Sequence, residues 1–458
     1  MLNIKKYHKI HCIGIGGVGL SAIAEILISK GFKVSGSDMN SSPIIEKLIE
    51  NGADIFIGHR AENIKDADLI VYSAAISEEN PEMKAAEEKG IPRVGRAEVL
   101  GVLMDEYPIG IAVSGTHGKT TTTSMISVIL ERSKKNPTIL VGGKVSELDG
   151  NFKVGSGEYF VTEACEYRDS FLSLSPYMEI ILNIDSDHLD YFKDIDHIVN
   201  SFDRFTKNIK AGGKLIAYDS NPFVKRILES RKDAITYGYS DSSTYSITDI
   251  SFGSDGMPSF NIMHKGKNLG RVELIIPGDH NILNATAAFA CCHQLGVEPK
   301  EIISALKEFS GTARRFDVLG INKEGVKVVD DYAHHPNEIK ATLHAAENLP
   351  HGKIICIFQP HTYTRTLALF DGFADAFEDA DVIILADIYA AREKDIYKVN
   401  SKALTERIKD RHPDKDVIYS PDFYDMVQIV KKKANAGDIV ITMGAGDIYK
   451  VGRRLLEG

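Results

Sequence analysis

The chain has 458 residues, 43% of them hydrophobic and 26% charged, which is the balance of a soluble globular protein too long for one hydrophobic core. Its 64 acidic residues against 54 basic ones give a formal net charge of −10, which argues against non-specific binding to nucleic acid or to an anionic membrane. The five cysteines, Cys12, Cys165, Cys291, Cys292 and Cys356, form no CxxC pair, so neither a disulfide framework nor a structural zinc site is expected and a reducing cytoplasm fits best.

The first residues lack the apolar region and cleavage site of a signal peptide, and no apolar run approaches the ~20 residues of a bilayer span. No membrane insertion is expected. Residues 8–15 read as a short buried strand running into a glycine-rich turn at 14–19. Helical spacing follows at 21–29, with Gly31 as its stop. Strands at 33–37, ending near Asp38, and at 68–73 continue the alternation that marks a parallel α/β sheet.

The pattern restarts near residues 105–108. A strand at 109–114 leads through a loop into a helix at 120–132, and further strands fall at 159–162 and 179–184. Residues 214–276 are rich in Ser, Asp, Gly and Tyr with alternating apolar positions, as in antiparallel hairpins. A helix at 282–295 stops at Gly296. After residues 311–315, strands at 326–330, 353–358, 382–386 and 438–443 alternate with helices. No fixed-period repeat and no low-complexity tract occurs. The expected fold class is α/β in three consecutive domains: a Rossmann-like N-terminal domain (1–107), a central domain with a P-loop ATPase-type mixed sheet (108–312), and a Rossmann-like C-terminal domain (313–458).

The strongest local signal is Ser114-Gly115-Thr116-His117-Gly118-Lys119-Thr120-Thr121, between a strand and a helix. Glycines let backbone N–H groups turn in around phosphate oxygens, and the helix N-terminus adds its positive end. Lys119 can reach the outer phosphates of ATP, and the Thr120 hydroxyl suits Mg²⁺. Val113 stands where the general pattern has a glycine, so the loop is a shortened version. Glu163 and His188 end strands of the same sheet, whose carboxyl ends converge on one edge. An acidic oxygen suits Mg²⁺. Asp185, Asp187 and Asp190 compete with His188 for that role.

The segment Gly14-Ile15-Gly16-Gly17-Val18-Gly19 fits G-x-G-x-x-G, and Asp38 follows 19 residues after Gly19. That is a dinucleotide-type fingerprint, with NAD and a UDP-sugar equally open. In the last domain, strand ends gather Asp330-Asp331-Tyr332-Ala333-His334-His335-Pro336 and Gln359-Pro360-His361-Thr362-Tyr363-Thr364-Arg365. Arg365 can hold a phosphoryl or carboxylate group in bidentate fashion. The paired histidines suggest either a site or a helix start before Pro336. Asn281 and Asn284 share a helix face, where they either read an adenine edge or begin the helix.

The order of these segments, GTHGKTTTT, EACEYRDSFL, NIDSDHLDYF, PGDHNILNA, GTARRFD, DDYAHHPNE and QPHTYTRT, resembles the Mur ligase family along the whole chain. The opening IHCIGIGGVGLSAIAEIL is similar to its muramate–alanine branch. The resemblance implies an ATP- and Mg²⁺-dependent, ADP-forming ligase of peptidoglycan precursor synthesis. Its substrates would be UDP-N-acetylmuramic acid and L-alanine, joined at the lactyl carboxylate through an acyl phosphate by a monomer or homodimer. It further implies ATP contacts from Gly115, Thr116, His117, Gly118, Lys119, Thr120 and Thr121, with Asn281, Asn284 and Arg314. Thr120, Glu163 and His188 become metal ligands. Gly16, Gly17, Val18, Gly19, Asp38 and Ser73 face the UDP-substrate. Tyr332 and His334 meet the amino acid, and Lys119, His188, His335 and Arg365 take catalytic roles. Two departures stand out: Thr362 replaces an arginine found in some members, and residues 194–206 hold no lysine of the kind several sister ligases modify. Two alternatives remain, an NAD-dependent dehydrogenase based on the glycine turn and a murein-recycling ligase that adds a tripeptide.

Overall fold

The computed structural model describes residues 2–148 and 150–457, in three sheets that follow one another along the chain. The first holds β1 (Lys9–Ile13), β2 (Lys33–Asp38), β3 (Asp54–Ile57), β4 (Leu69–Tyr72) and β5 (Arg93–Gly95), in the spatial order 3-2-1-4-5. Every pairing is parallel. The order reverses beside β1, which lies between β2 and β4. The turn after β1 therefore opens into the crevice where such sheets take ligands. The helix Val18–Ser29 starts directly behind that turn.

The second sheet holds β6 (Ile109–Ser114), β7 (Thr138–Val145), β8 (Gly150–Lys153), β9 (Tyr159–Glu163), β10 (Met178–Ile181), β11 (Lys214–Tyr218), β12 (Ile235–Gly238), β13 (Tyr245–Phe252), β14 (Pro258–His264) and β15 (Lys267–Glu273). Its order is 15-14-13-12-11-10-6-9-7-8. The stretch from β7 to β13 is parallel, and only the two ends are antiparallel. This corrects the hairpin reading of residues 214–276. β11 and β12 are parallel strands separated by the helix Pro222–Leu228, and antiparallel pairing begins at β13. Leu215, Ile216 and Ala217 are buried in succession, as in a strand covered on both faces. The alternation in the sequence belongs to β14, where every second residue is buried.

The third sheet holds β16 (Asp317–Ile321), β17 (Lys327–Asp331), β18 (Ile354–Phe358), β19 (Val382–Leu385), β20 (Asp416–Tyr419) and β21 (Ile439–Met443), in the order 16-17-21-18-19-20. It is parallel except at the β16 edge. The sequence gives little sign of β16 and β20, because these edge strands bury few side chains.

The three sheets are joined in different ways. One apolar core runs from the first into the second, bringing Leu20, Leu27, Leu100 and Leu103 together with Phe160, Phe171 and Phe202. Gly101, in the helix Arg96–Asp105, lies so near the turn Tyr167–Ser173 that a Cβ there would sit 2.0 Å from the Ser173 carbonyl oxygen. Gly101→Ala is therefore expected to push the two units apart and destabilise the chain by about 1–3 kcal/mol. Calorimetry tests this, and an unchanged unfolding temperature would show that the contact bears no load. The third sheet has its own cores, one on each face, with Met257 reaching in from the second unit.

Candidate functional site

The phosphate loop leaves β6 where that strand lies between β9 and β10, the switch point of the second sheet. Gly115 (φ 135) and Gly118 (φ 84) adopt backbone conformations that a side chain would oppose. Gly118 caps the helix Lys119–Arg132 without a side chain, so the first N–H groups of the helix have no side-chain acceptor. The Lys119 Nζ donates to the carbonyls of Gly115 and Thr116, and lies 2.9 and 3.1 Å from the two carboxylate oxygens of Glu166. Burial alone would discharge this lysine, but Glu166 raises its pKa above the ordinary value. Glu166 was not singled out from the sequence. Its one mark there is its place three residues after Glu163, past the same strand end.

Glu163 ends β9 and accepts the Gly142 N–H. A Cβ at Gly142 would lie 2.8 Å from its carboxylate, and one at Gly143 would lie 3.2 Å from the Thr120 methyl. Glu163 and Thr120 thus line up on either side of the Gly142-Gly143 backbone, and each carries a hard oxygen donor of the kind that Mg²⁺ prefers. His188 lies beside Glu166, with Nε2 3.9 Å from Oε1 and its ring 4.7 Å from that of Tyr167. Its left-handed backbone (φ 54) is strained for a residue with a side chain. The three aspartates that compete with it have other partners. Asp185 faces His117, Asp187 pairs with Arg365, and Asp190 accepts the Tyr167 hydroxyl at 2.8 Å.

The third unit docks on the phosphate loop through polar groups. His117 Nδ1 is 3.1 Å from Glu338 and Nε2 is 3.4 Å from Asp185. Burial opposes its charge, but these two carboxylates raise its pKa to about 9. His335 caps the helix Pro336–Glu347. Its Nδ1 accepts the Asn337 N–H, and its Nε2 lies 3.1 Å from the Ser186 carbonyl oxygen. His117, Asp185 and His335 bring potential ligand atoms within 4.8 Å of one another. Both His335 nitrogens are already engaged, so the trio is a hydrogen-bonded seam rather than an ion site. Arg365 grips Asp187, with Nε at 3.1 Å and Nη2 at 3.0 Å from Oδ1, and its Nη1 is 3.0 Å from His361 Nδ1. Burial, then His334 and Arg365, push the His361 pKa down to about 3, so a neutral imidazole accepts this bond.

His334 Nδ1 is 2.9 Å from the Tyr332 carbonyl oxygen, and burial lowers its pKa to about 4. The Tyr332 ring lies under two guanidinium groups, Arg314 at 4.9 Å and Arg315 at 5.2 Å. Arg314 does not meet the expectation of a place near the nucleotide loop. It turns into the third unit, 3.0 Å from Asp330 and 2.7 Å from the Gly444 carbonyl oxygen. Arg314 holds a left-handed backbone (φ 62), and Arg315 rather than Arg314 lines the cavity beside the phosphate loop.

Three cavities surround these groups. One of about 290 Å³ lies between the phosphate loop and the third unit, lined by His117, Gly118, Thr121, Asn281, Asn284 and Arg315. Both asparagines are buried within the helix Asp279–Gln294, which Gly278 caps. The Asn284 amide donates to Asn281 at 3.1 Å and its oxygen accepts from Thr122 at 3.2 Å.

A second cavity of about 490 Å³ opens at the glycine turn, lined by Gly14, Gly17, Asp38, His59, Ser73 and Arg392 among others. Gly16, Val18 and Gly19 do not line it. Gly16 N–H binds Asp38 at 2.9 Å, Val18 begins the helix, and Gly19 packs on Arg96. Gly14, absent from the expected set, does line it.

The third cavity, about 620 Å³, lies where the three units meet and takes in His188, Arg168, His361, Thr362 and Arg365. It shares Ala75, Ile76, Ser77 and Arg392 with the second, so one groove runs from the glycine turn to Arg365 and His188. Thr362 (φ 63) caps the helix Tyr363–Ala368. Lys207, just past the lysine-free helix Ile195–Thr206, pairs with Asp203 at 2.7 Å.

Comparison with known proteins matches three family descriptions in sequence along the chain. These are the Mur ligase family catalytic domain at residues 9–108, the Mur ligase middle domain at 113–292, and the Mur ligase glutamate ligase domain at 314–446. A UDP-N-acetylmuramate–L-alanine ligase from Caldanaerobacter subterraneus subsp. tengcongensis is 50% identical, over 100% of this chain and 99% of the relative. One from Acetivibrio thermocellus is 48% identical, over 100% and 97%. Among solved structures, the UDP-N-acetylmuramate-alanine ligase of Thermotoga maritima superposes with a TM-score of 0.83 at 29% identity, covering 98% of both chains. A murein peptide ligase from Psychrobacter arcticus reaches 0.74 at 25% identity over the same share of both chains.

Proposed function

The chain belongs to the Mur ligase family, and from that premise we propose that it joins L-alanine to the lactyl carboxylate of UDP-N-acetylmuramic acid, with ATP as phosphoryl donor and an acyl phosphate between. The observation that carries this reading is the single groove from the glycine turn to His188 and Arg365. It ends beside Glu166, which also holds Lys119 of the phosphate loop. A sugar nucleotide lying in that groove would bring its carboxylate to the γ-phosphate. In this reading residues 1–107 take the UDP-substrate, residues 108–312 take ATP, and residues 313–458 take the amino acid and close over both.

A carboxylate is a poor electrophile, and its phosphorylation provides a leaving group. Lys119 exchanges Glu166 and the loop carbonyls for phosphate oxygens, where its charge offsets the charge that develops. Thr120, Glu163 and His188 would hold Mg²⁺, which supplies further charge neutralisation at the phosphates. The hard oxygen donors of Glu163 and Thr120 fit that ion. Arg365 releases Asp187 to grip the transferring phosphoryl group or the carboxylate. The amine of alanine then attacks the acyl carbon. The new C–N bond forms as the C–O bond to phosphate breaks, phosphate leaves, and the amine proton passes to solvent or to a neighbouring base. Tyr332 and His334 stand behind His361, whose cavity would receive the amino acid, and His335 positions that helix start against Ser186. Arg315, rather than Arg314, is assigned to the nucleotide cavity with Asn281 and Asn284.

No helix among the described residues is long and apolar enough to cross a membrane. The free cysteines and the sugar-nucleotide substrate point to the cytoplasm, whether as a monomer or a homodimer. The dehydrogenase reading leaves the phosphate loop without a role. The murein-recycling alternative has the weaker structural likeness. Phosphate release measured with ATP, UDP-N-acetylmuramic acid and single amino acids tests the proposal. It is expected to depend on L-alanine. Release that requires a tripeptide, or that runs without any amine, would refute it.

A further inference from the structure

The cavity at the glycine turn carries an electrostatic problem. Its wall includes two acidic side chains, Asp38 and Glu79, although its intended occupant is a diphosphate. The helix Val18–Ser29 offers only the partial charge of its N-terminus. Among the described residues that line this cavity, one bears a permanent positive charge, and it comes from the third unit. That residue is Arg392, which lines both the glycine-turn cavity and the cavity where the three units meet. Its guanidinium forms no ion pair among the described residues.

The exposed turn that carries Arg392, with a left-handed backbone at Ala391 (φ 52), is tied on both sides to the segment of Arg365. On one side Tyr389 N–H binds the Pro360 carbonyl at 2.8 Å and Thr362 N–H binds the Tyr389 carbonyl at 2.9 Å. On the other side the Glu393 carboxylate accepts the Thr364 N–H at 2.9 Å and the Thr364 hydroxyl. Both anchors lie on the segment that carries Arg365.

We propose that Arg392 clamps the diphosphate of the UDP-substrate from the C-terminal unit, so that the nucleotide site is complete only when that unit is docked. This rests on the UDP-sugar reading of the glycine-turn cavity. A planar guanidinium can meet two phosphate oxygens at once. Through Glu393 and Thr364 the bound diphosphate also fixes the segment of Arg365. Occupation of the substrate nucleotide site thereby sets the arginine that faces the reacting carboxylate, some distance along the groove.

Arg392→Ala tests this in the full-length enzyme with ATP and Mg²⁺. The KM for UDP-N-acetylmuramic acid is expected to rise about 10- to 100-fold, with the KM for ATP changing less than about twofold. Direct titration with uridine diphosphate and with uridine separates the charge from the base. The variant should lose affinity for the diphosphate and keep its affinity for the nucleoside, and R392K should recover part of the loss. An unchanged KM for the sugar nucleotide, or an equal loss for uridine and uridine diphosphate, overturns the clamp. If wild-type enzyme released no phosphate with UDP-N-acetylmuramic acid, the proposed reaction would fail on its own account. The contrast between uridine diphosphate and uridine would still decide the role of Arg392.

Discussion

Lys119→Ala is expected to lower kcat by about 10³-fold or more, with the fold intact. This lysine is half-buried at the start of the helix Lys119–Arg132, and its ion-pair partner among the described residues is the carboxylate of Glu166. Without nucleotide that pair is internally balanced. With nucleotide the ammonium group is free to meet the phosphates, whereas the other charged group of the loop, His117, is held between Glu338 and Asp185. The variant leaves Glu166 buried without its counter-charge, so some loss of stability accompanies the loss of activity. Glu166→Gln added to Lys119→Ala separates the two effects. It should restore the unfolding temperature and leave turnover lost. Activity within tenfold of wild type in Lys119→Ala would remove the loop from the mechanism.

Arg365→Ala should be the second most severe change, with a loss of about 10²- to 10³-fold in single-turnover phosphate release. In the structure this arginine is held in reserve by Asp187 and His361. Asp187 is buried, yet His188 and Arg365 keep its carboxyl well below the ordinary range, so the pair is fully charged at neutral pH. Arg365→Lys should rescue little, because one ammonium cannot span Asp187 and His361 and then engage two oxygens of the substrate. The KM for ATP should move far less than kcat. A variant that kept its rate and lost only affinity for alanine would place Arg365 on the amino-acid side alone.

These two residues also show which parts of the site were legible in the sequence. Lys119 sits in eight consecutive residues whose chemistry depends on local backbone, so its role can be read without any fold. Arg365 was visible as a cation at a strand end, but its partner Asp187 lies in another unit. The seam between His117 and Glu338 joins positions 221 residues apart, and no spacing in the chain encodes it. Neighbouring residues were hard to separate for a different reason. Arg314 and Arg315 are chemically alike, and nothing in their spacing says which one lines the cavity beside the phosphate loop. Glu166 was hidden behind Glu163 in the same way. At the level of fold, the parallel strands β11 and β12 were masked by the alternating pattern that follows them in β14. The short edge strands β16 and β20 bury too little to leave a period.

The unequal joints between the units bear on how such a chain diverges. Replacing the first unit by that of a relative means matching a packed apolar face down to the missing methyl group at Gly101, where a single carbon collides with a backbone oxygen. Replacing the third means meeting polar positions on the second unit, chiefly His117, Asp185, Ser186 and Asp187, and seating Met257 and Gly256, where a Cβ would lie 2.3 Å from the Asn348 carbonyl oxygen. Among the described residues only the first joint is spanned by one continuous apolar core, so exchange at the second is expected to cost less in stability. The third unit can then be exchanged between descendants of one gene while the first two are inherited as a block. The proposed clamp at Arg392 reaches from the third unit to the cavity of the first, and a transplanted third unit must bring it along.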